Sequence, residues 1–254
     1  MTAHYSIKWL TEKFESGNAL EYLFFWGHSG KHKELLGKFC FSQWFKSPFL
    51  LNNAIYKTAE HWMMARKALL FDDKSTFDKI ISCNKPEEAK ELGRQVLGYD
   101  DQLWNNNKYE AVRLGNIHKF NQHPTLAEYL ISTGKKILVE ASPVDIVWGI
   151  GLAQGSKSIN NIYAWRGQNL LGFALMEVRD FLREFGHFNP LDKSYQPPWA
   201  KFQHAAPLDM FWRMGEGEEY LDAFSKYYQS LTNREKTIYQ LTNPQPYEWV
   251  GFYD

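Results

Sequence analysis

Apolar and polar positions change period along the chain, and the changes mark its elements. The run "EYLFFWG" (21–27) is short, apolar and closed by a glycine, which predicts a strand. "NNAIYKTAEHWMMARKALLF" reads as a helix with Asn52 or Asn53 as N-cap. "PEEAKELGRQVLG" predicts a second helix, with Pro86 in its first turn and Gly98 beyond its end. "NNKYEAVRLGNIHKFNQ" and "TLAEYLIST" predict two more, the latter stopped at Gly134. "KILVEA" reads as a buried strand. "NLLGFALMEVRDFLREFG" is a long amphipathic helix, with Asn169 as candidate cap and Gly186 at its close. Residues 1–20 form a polar, loosely helical lead-in, and 28–38 are a glycine-punctuated loop. "HFNPLDKSYQPPWAKFQHAAP" is proline-bearing and reads as an extended connector. "LDMFWRMGEGEEYLDAFSKYYQSL" then has a helical pattern broken at "GEG". The pattern predicts a mostly helical α+β domain with a few short strands over 21–188, and a C-terminal helical extension over 189–254.

Composition narrows the classes. The chain has 254 residues, 44% hydrophobic and 17% aromatic, enough for a bulky core or for rings that stack on planar ligands. Its 29 basic and 29 acidic residues cancel, which argues against a broad nucleic-acid surface and leaves a local anion site open. Cys40 and Cys83 alone make no disulfide framework, so a reduced, cytoplasmic setting is expected. The first residues lack a basic-then-apolar leader pattern, and no run of 18 apolar residues exists, so no membrane association is expected.

Several motifs fail on spacing. "GHSGK" (27–31) suggests a phosphate loop, but Phe25 and His32 stand where that loop needs Gly and Ser or Thr. Gly149, Gly151 and Gly155 are wrongly spaced for a dinucleotide fingerprint. His28, His32 and His61 do not form a metal-ligand pattern, so neither metal nor cofactor is expected. More informative are Glu60 and Lys67, seven apart and on one helical face, among Trp62, Met63, Met64, Ala65, Ala68 and Leu69. The plain alternative is a solvated charged face. Apolar residues nearly encircle this helix, however, and a half-buried charge has a shifted pKa and becomes usable chemistry. In "VDIVWGIG" (144–151) Asp145 is followed by Ile-Val-Trp rather than turn residues, and Trp148 abuts Gly149. Trp104 sits in a polar segment. The two rings could clamp a planar heterocycle or simply cap the core.

"YKTAEHWMMARKA", the "LW" at 103–104, "HKFNQHPTLAEYLISTGKKILVEASPVDIVWGIG" and "WRGQNLLGFALMEVRDFL" together resemble the NADAR (YbiA-like) family, in order, from about Tyr22 to Phe185. Where many members read Ser-Asn-Phe, this chain has Ser42-Gln43-Trp44. The resemblance implies an N-glycosidase. Its substrates would be ribosyl-phosphate pyrimidine intermediates of riboflavin biosynthesis, or ADP-ribose on guanine, free or in nucleic acid. It implies catalytic roles for Glu60, Lys67 and Asp145, and substrate contacts from Trp104, Trp148, Gly149, Gly167, Asn169 and Gly172. A carboxylate near the anomeric carbon would stabilise the oxocarbenium-like sugar, a Trp face would hold the base, and glycines would let backbone approach the substrate. Asn169, ahead of its helix, would contact ribose or phosphate. The rival reading is a nucleotide-sugar sensor that binds without turnover.

Overall fold

Local chemistry sets each element of the computed structural model, which describes residues 4–29, 36–192 and 195–254. Helix α1 (Ile7–Glu15) starts where the Ser6 hydroxyl accepts the Trp9 amide at 3.1 Å. Strand β1 (Tyr22–Phe25) follows. Then β2 (Phe49–Leu51) and β3 (Ala54–Tyr56) pair antiparallel. Asn52 and Asn53 are the turn between them, with φ of 50° and 60°. A two-residue hairpin of this kind needs positive φ at both positions, and asparagine tolerates it. That corrects the expected helix start: the asparagines turn a hairpin. The cap is Thr58, whose hydroxyl accepts the His61 amide at 3.4 Å, and helix α2 runs Ala59–Leu70.

Asp73 then caps a helix the apolar pattern did not announce, α3 (Lys74–Ser82). Its two carboxylate oxygens accept the amides of Thr76 at 3.0 Å and Leu97 at 2.9 Å, tying the segments flanking α4 (Pro86–Arg94) together. Helix α5 (Asp101–Asn121) begins earlier than its apolar repeat because Asp100 accepts the Leu103 amide at 2.6 Å. Helix α6 (Pro124–Ser132), strand β4 (Ile137–Glu140) and helix α7 (Leu170–Phe185) complete the first of two compact units, Met1–His187.

Strands β1 and β4 pair in parallel, with Phe25 opposite Glu140. Around them lies helix on helix: α2 packs on α3, α4 and α5, and α7 on α5, α6 and β4. The fold is therefore mostly helical α+β with short strands, as the sequence led us to expect. Trp62, 1% exposed, anchors α2 against α5 by donating its ring N–H to the Ala111 carbonyl at 2.7 Å. The helices come this close because residue 115 is glycine; a Cβ there would stand 2.2 Å from Trp62 Cδ1.

The second unit, Phe188–Asp254, holds α8 (Pro198–Lys201), α9 (Gly215–Ser230) and α10 (Asn233–Thr242). The "GEG" expected to break a helix begins α9 instead. Thr232 and Glu235 cap α10 reciprocally. Phe202, Trp212 and Trp249 are buried together, with Trp199, Phe211 and Phe252 packed on them. Among the described residues no helix is long and apolar enough to cross a membrane.

Gly115→Ala should overpack the α2–α5 contact and cost about 1–3 kcal/mol. Thermal melting checks this, and an unchanged melting temperature would mean that Trp62 can move aside.

Candidate active site

The parallel strands end at one place. β1 runs into Trp26, Gly27 and His28, and β4 into Ser142 and Asp145; all of these line a cavity of about 700 Å³. The carboxyl ends of parallel strands commonly open onto binding sites, because the loops leaving them diverge. Helix α2 supplies Glu60, Met63, Met64 and Lys67 to the wall, and α4 supplies Lys90 and Arg94. The start of α5 and the residues before it add Tyr99, Asp101, Trp104 and Lys108. Gln43, Trp44, Glu140 and Trp148 are also on its wall.

Glu60 stands in the first turn of α2 and is 3% exposed. The position is electrostatically reasonable, since amides at a helix start favour negative charge. Desolvation nevertheless dominates and raises its pKa from 4.5 to about 7, against the opposing pull of Lys90, the Trp44 side chain and Arg94. Its Oε1 has no hydrogen-bond partner. Glu140, at the end of β4, behaves alike: burial first, then the Asp145 and Glu60 charges, push it up to about 8. Its Oε2 is also buried and unpartnered. Asp145 is held differently. Its Oδ1 accepts the amides of Val147 at 2.9 Å and Trp148 at 2.7 Å, so the turn that presents Trp148 is wrapped on the Asp145 carboxylate.

Lys67 is half-buried. Its Nζ donates to the Gly93 carbonyl at 2.8 Å and lies 4.1 Å from the Tyr99 ring centroid and 5.9 Å from that of Trp104. Burial lowers its pKa, and the Asp101 charge opposes that. The cations acting on Glu60 are Lys90 and Arg94 rather than Lys67, so no Glu60–Lys67 ion pair cancels the desolvation. Lys108 donates to Asn105 Oδ1 at 2.5 Å, and its pKa too is lowered, chiefly by burial.

Glu60, Lys67, Asp145, Trp104 and Trp148 are thus brought to one cavity. Gly149, Gly167, Asn169 and Gly172, of which substrate contacts were expected, are not among the residues lining it. Asn169 is fully buried behind it. Its Oδ1 accepts the Glu140 amide at 3.0 Å and its Nδ2 donates to the Leu138 carbonyl at 2.9 Å. It sits at the N-cap position of α7 but makes no side-chain cap bond. These glycines let protein backbone approach closely: a Cβ on Gly172 would stand 2.0 Å from the Leu138 carbonyl oxygen and one on Gly167 2.2 Å from that of Gly149. A Cβ on Gly149 would meet the Glu140 carbonyl oxygen at 2.8 Å. His28 lines the cavity, whereas His61 is buried off the wall with Nδ1 2.8 Å from the Thr58 hydroxyl. His32, and Gly30 and Lys31 of "GHSGK", lie outside the described residues. Among the described residues no cluster of three His, Cys, Asp or Glu side chains could hold a metal ion.

Sequence reasoning missed Glu140, Lys90, Arg94, Lys108 and Tyr99. A signal for Glu140 existed: an acid closing the apolar run "ILVE" ends a buried strand.

The NADAR domain family model matches residues 24–183. The N-glycosidase R617 of Acanthamoeba polyphaga mimivirus is 45% identical over 166 residues, 63% of this chain and 95% of the relative. The N-glycosidase YbiA of Escherichia coli is 30% identical over 142 residues, 56% of this chain and 80% of the relative. The solution structure of Escherichia coli YbiA aligns with a TM-score of 0.53 at 26% identity, covering 66% of this chain and 90% of that one. A riboflavin biosynthesis protein of Vibrio vulnificus is 29% identical over 157 residues, 60% of this chain and 39% of the relative. These likenesses place the chain in the class of hydrolases acting on N-glycosyl compounds. The chain belongs to the NADAR family.

The raised acids make stability pH-dependent. The native state holds protons on Glu60 and Glu140 that the unfolded chain has already released, so the stability these two groups contribute is full below about pH 4.5 and is lost as pH rises through about 7 to 8. Glu60→Gln removes one such group. It should flatten the fall and be the more stable protein at pH 8, by on the order of 1–3 kcal/mol. Denaturant titrations at pH 5 and 8 check the sign; a variant less stable than wild type at pH 8 would contradict it.

Proposed function

We propose that this chain hydrolyses the bond between a base nitrogen and C1 of a ribosyl-phosphate or ADP-ribosyl group. The observation that carries the reading is Glu60: a buried acid with an unpartnered oxygen and a pKa near neutrality, on the wall of a cavity that also presents Trp faces and lysines. As the C1–nitrogen bond breaks, the sugar becomes oxocarbenium-like and the base gains electrons. Burial raises the pKa of both Glu60 and Glu140, and the Glu60 charge raises Glu140 further, so near neutral pH these acids hold a proton to give to the departing base. The Asp145 carboxylate, its Oδ1 fixed by backbone amides, stabilises the developing positive charge; water adds to C1 and gives up a proton that restores the acid which protonated the base. Trp104 and Trp148 hold the base, and Lys90, Arg94 and Lys108 balance the phosphate charge.

Lys67 offers an alternative to direct water attack. Desolvation without an ion pair keeps a larger neutral fraction than a free lysine has, and a neutral amine can form a Schiff base with C1 of an opened sugar. Borohydride added during turnover should leave the sugar attached to Lys67 in a peptide mass map. Absence of an adduct, with activity persisting in Lys67→Ala, would confine this lysine to binding.

The two substrate classes share the ribosyl–base bond, and the chain's relatives include proteins named for glycosidase activity and for riboflavin biosynthesis. Incubation with a ribosyl-phosphate pyrimidine and with ADP-ribosylated guanine, followed by mass spectrometry of released base and sugar, tests the reading. Glu60→Gln should slow the productive reaction at least ~100-fold. Full activity in that variant would remove Glu60 from the chemistry, and tight binding without base release would establish the sensor instead.

A further inference from the structure

Next to Glu60 the cavity wall carries a second buried polar group that the chemistry above leaves unused. Gln43 is 7% exposed and lines the cavity. Its backbone carbonyl accepts the Glu60 amide at 3.0 Å, so the two residues are fixed side by side. The orientation of its side chain follows from Asn116, which is fully buried on α5. Asn116 Nδ2 donates to the Val112 carbonyl at 2.8 Å, and a carbonyl can only accept, so that end of Asn116 is the amide nitrogen. The same nitrogen donates to Gln43 Oε1 at 2.9 Å. Gln43 Nε2 must therefore point the other way, and it has no partner. Two further unpartnered atoms belong to residues on the same wall, Glu60 Oε1 and Glu140 Oε2. A buried amide donor left unpaired is costly, and a folded protein seldom keeps three orphaned polar atoms around one cavity unless a ligand or water completes them.

We propose that Gln43 is a positioning residue for the sugar: with the Glu60 and Glu140 carboxyls it forms a corner that takes a vicinal diol, the 2- and 3-hydroxyls of a ribosyl group. A hydroxyl accepts and donates at once. Gln43 Nε2 supplies the donor, and the unpaired carboxyl oxygens supply the acceptors. A phosphate fits this corner poorly beside two acids, and an apolar group would leave all three atoms unsatisfied. The corner also puts the sugar ring against the acids that serve C1. The residue type matters: glutamine is one methylene longer than asparagine, so Asn116 is needed to brace it.

The proposal rests on the ribosyl reading of the site, but its test does not need turnover. The probes are ribose 5-phosphate and 2-deoxyribose 5-phosphate, titrated calorimetrically against the full chain. Wild type should bind the ribose compound about 10-fold more tightly, the scale of one or two hydrogen bonds to buried polar groups. Gln43→Met keeps the length and removes the amide, and should bring the two affinities to within about 2-fold of each other. Asn116→Ala releases the brace and should reduce the preference in part. Melting curves establish that each variant is folded; should Gln43→Met unfold, Gln43→Glu, which replaces the donor with an acceptor, gives the same reading. A preference that survives in the folded variants, or wild-type protein that binds both sugars equally or neither, would overturn the proposal. If the preference behaves as expected while no base is released from any substrate, the diol corner stands and the hydrolytic reading falls. Base release with no 2-hydroxyl preference would do the reverse.

Discussion

A carboxyl group with no water around it is the constraint from which the site follows. Glu60 lies on a helix whose Trp62, Met63, Met64, Ala65 and Ala68 are all buried, so α2 has hardly a wet side on which an acid could be placed harmlessly. Burial of an unpaired carboxylate is expensive, and the protein responds by keeping it near neutrality rather than by pairing it. Everything that could have quenched it is held off. Lys67, on the same helical face, is turned to the Gly93 carbonyl and the Tyr99 ring, while Lys90 and Arg94 act on it without closing an ion pair. A group in this state is ready to exchange a proton near pH 7, which is what a leaving base requires.

The second acid depends on a different piece of engineering. Glu140 ends β4, and β4 is clamped by Asn169, which takes the Glu140 amide and gives to the Leu138 carbonyl. Asn169 can do so because it adopts a left-handed conformation, φ 53°, immediately before α7. Gly172 then lets α7 lie directly on the strand. The residues between Gly167 and Gly172 are thus a joint between strand and helix, and the joint sets where the second carboxyl projects.

What the sequence made legible tracks the kind of force involved. The girdle of apolar residues around Glu60 was readable because amphipathicity is a local, periodic signal, and its absence on α2 marked an acid under desolvation. Asp145 and Trp148 do line one cavity, but Asp145 also forms a turn, its Oδ1 taking the amides two and three residues on, which the apolar residues after it did not announce. The Asn52–Asn53 turn was misassigned because asparagine serves helix caps and left-handed hairpin turns equally, and only pairing between Phe49 and Tyr56 decides between them. The glycines and Asn169 were assigned to the ligand because glycine registers close approach without saying of what; here it is backbone, at 2.0 Å and 2.2 Å from a hypothetical Cβ. The cations of α4 lay beyond reach, since nothing local tells which face of a short charged helix turns toward a cavity.

The segment carrying Asp145 and Trp148 is laced to the residues that precede and open α7. Gln168 donates its amide to the Ile146 carbonyl at 3.0 Å, Asn169 to Gly149 at 3.1 Å, Leu170 to Val147 at 3.3 Å and Leu171 to Trp148 at 3.1 Å. Such a ladder makes this wall an anvil. Its amides should exchange with solvent deuterium only in openings that also free the start of α7, and it cannot swing aside to admit a ligand. Accommodation would then come from other lining side chains, such as Arg94 of α4 and Trp104 of α5. On the proposed reading, selectivity among ribosylated bases would be decided by how those side chains rearrange, while this wall would offer the same geometry to each substrate.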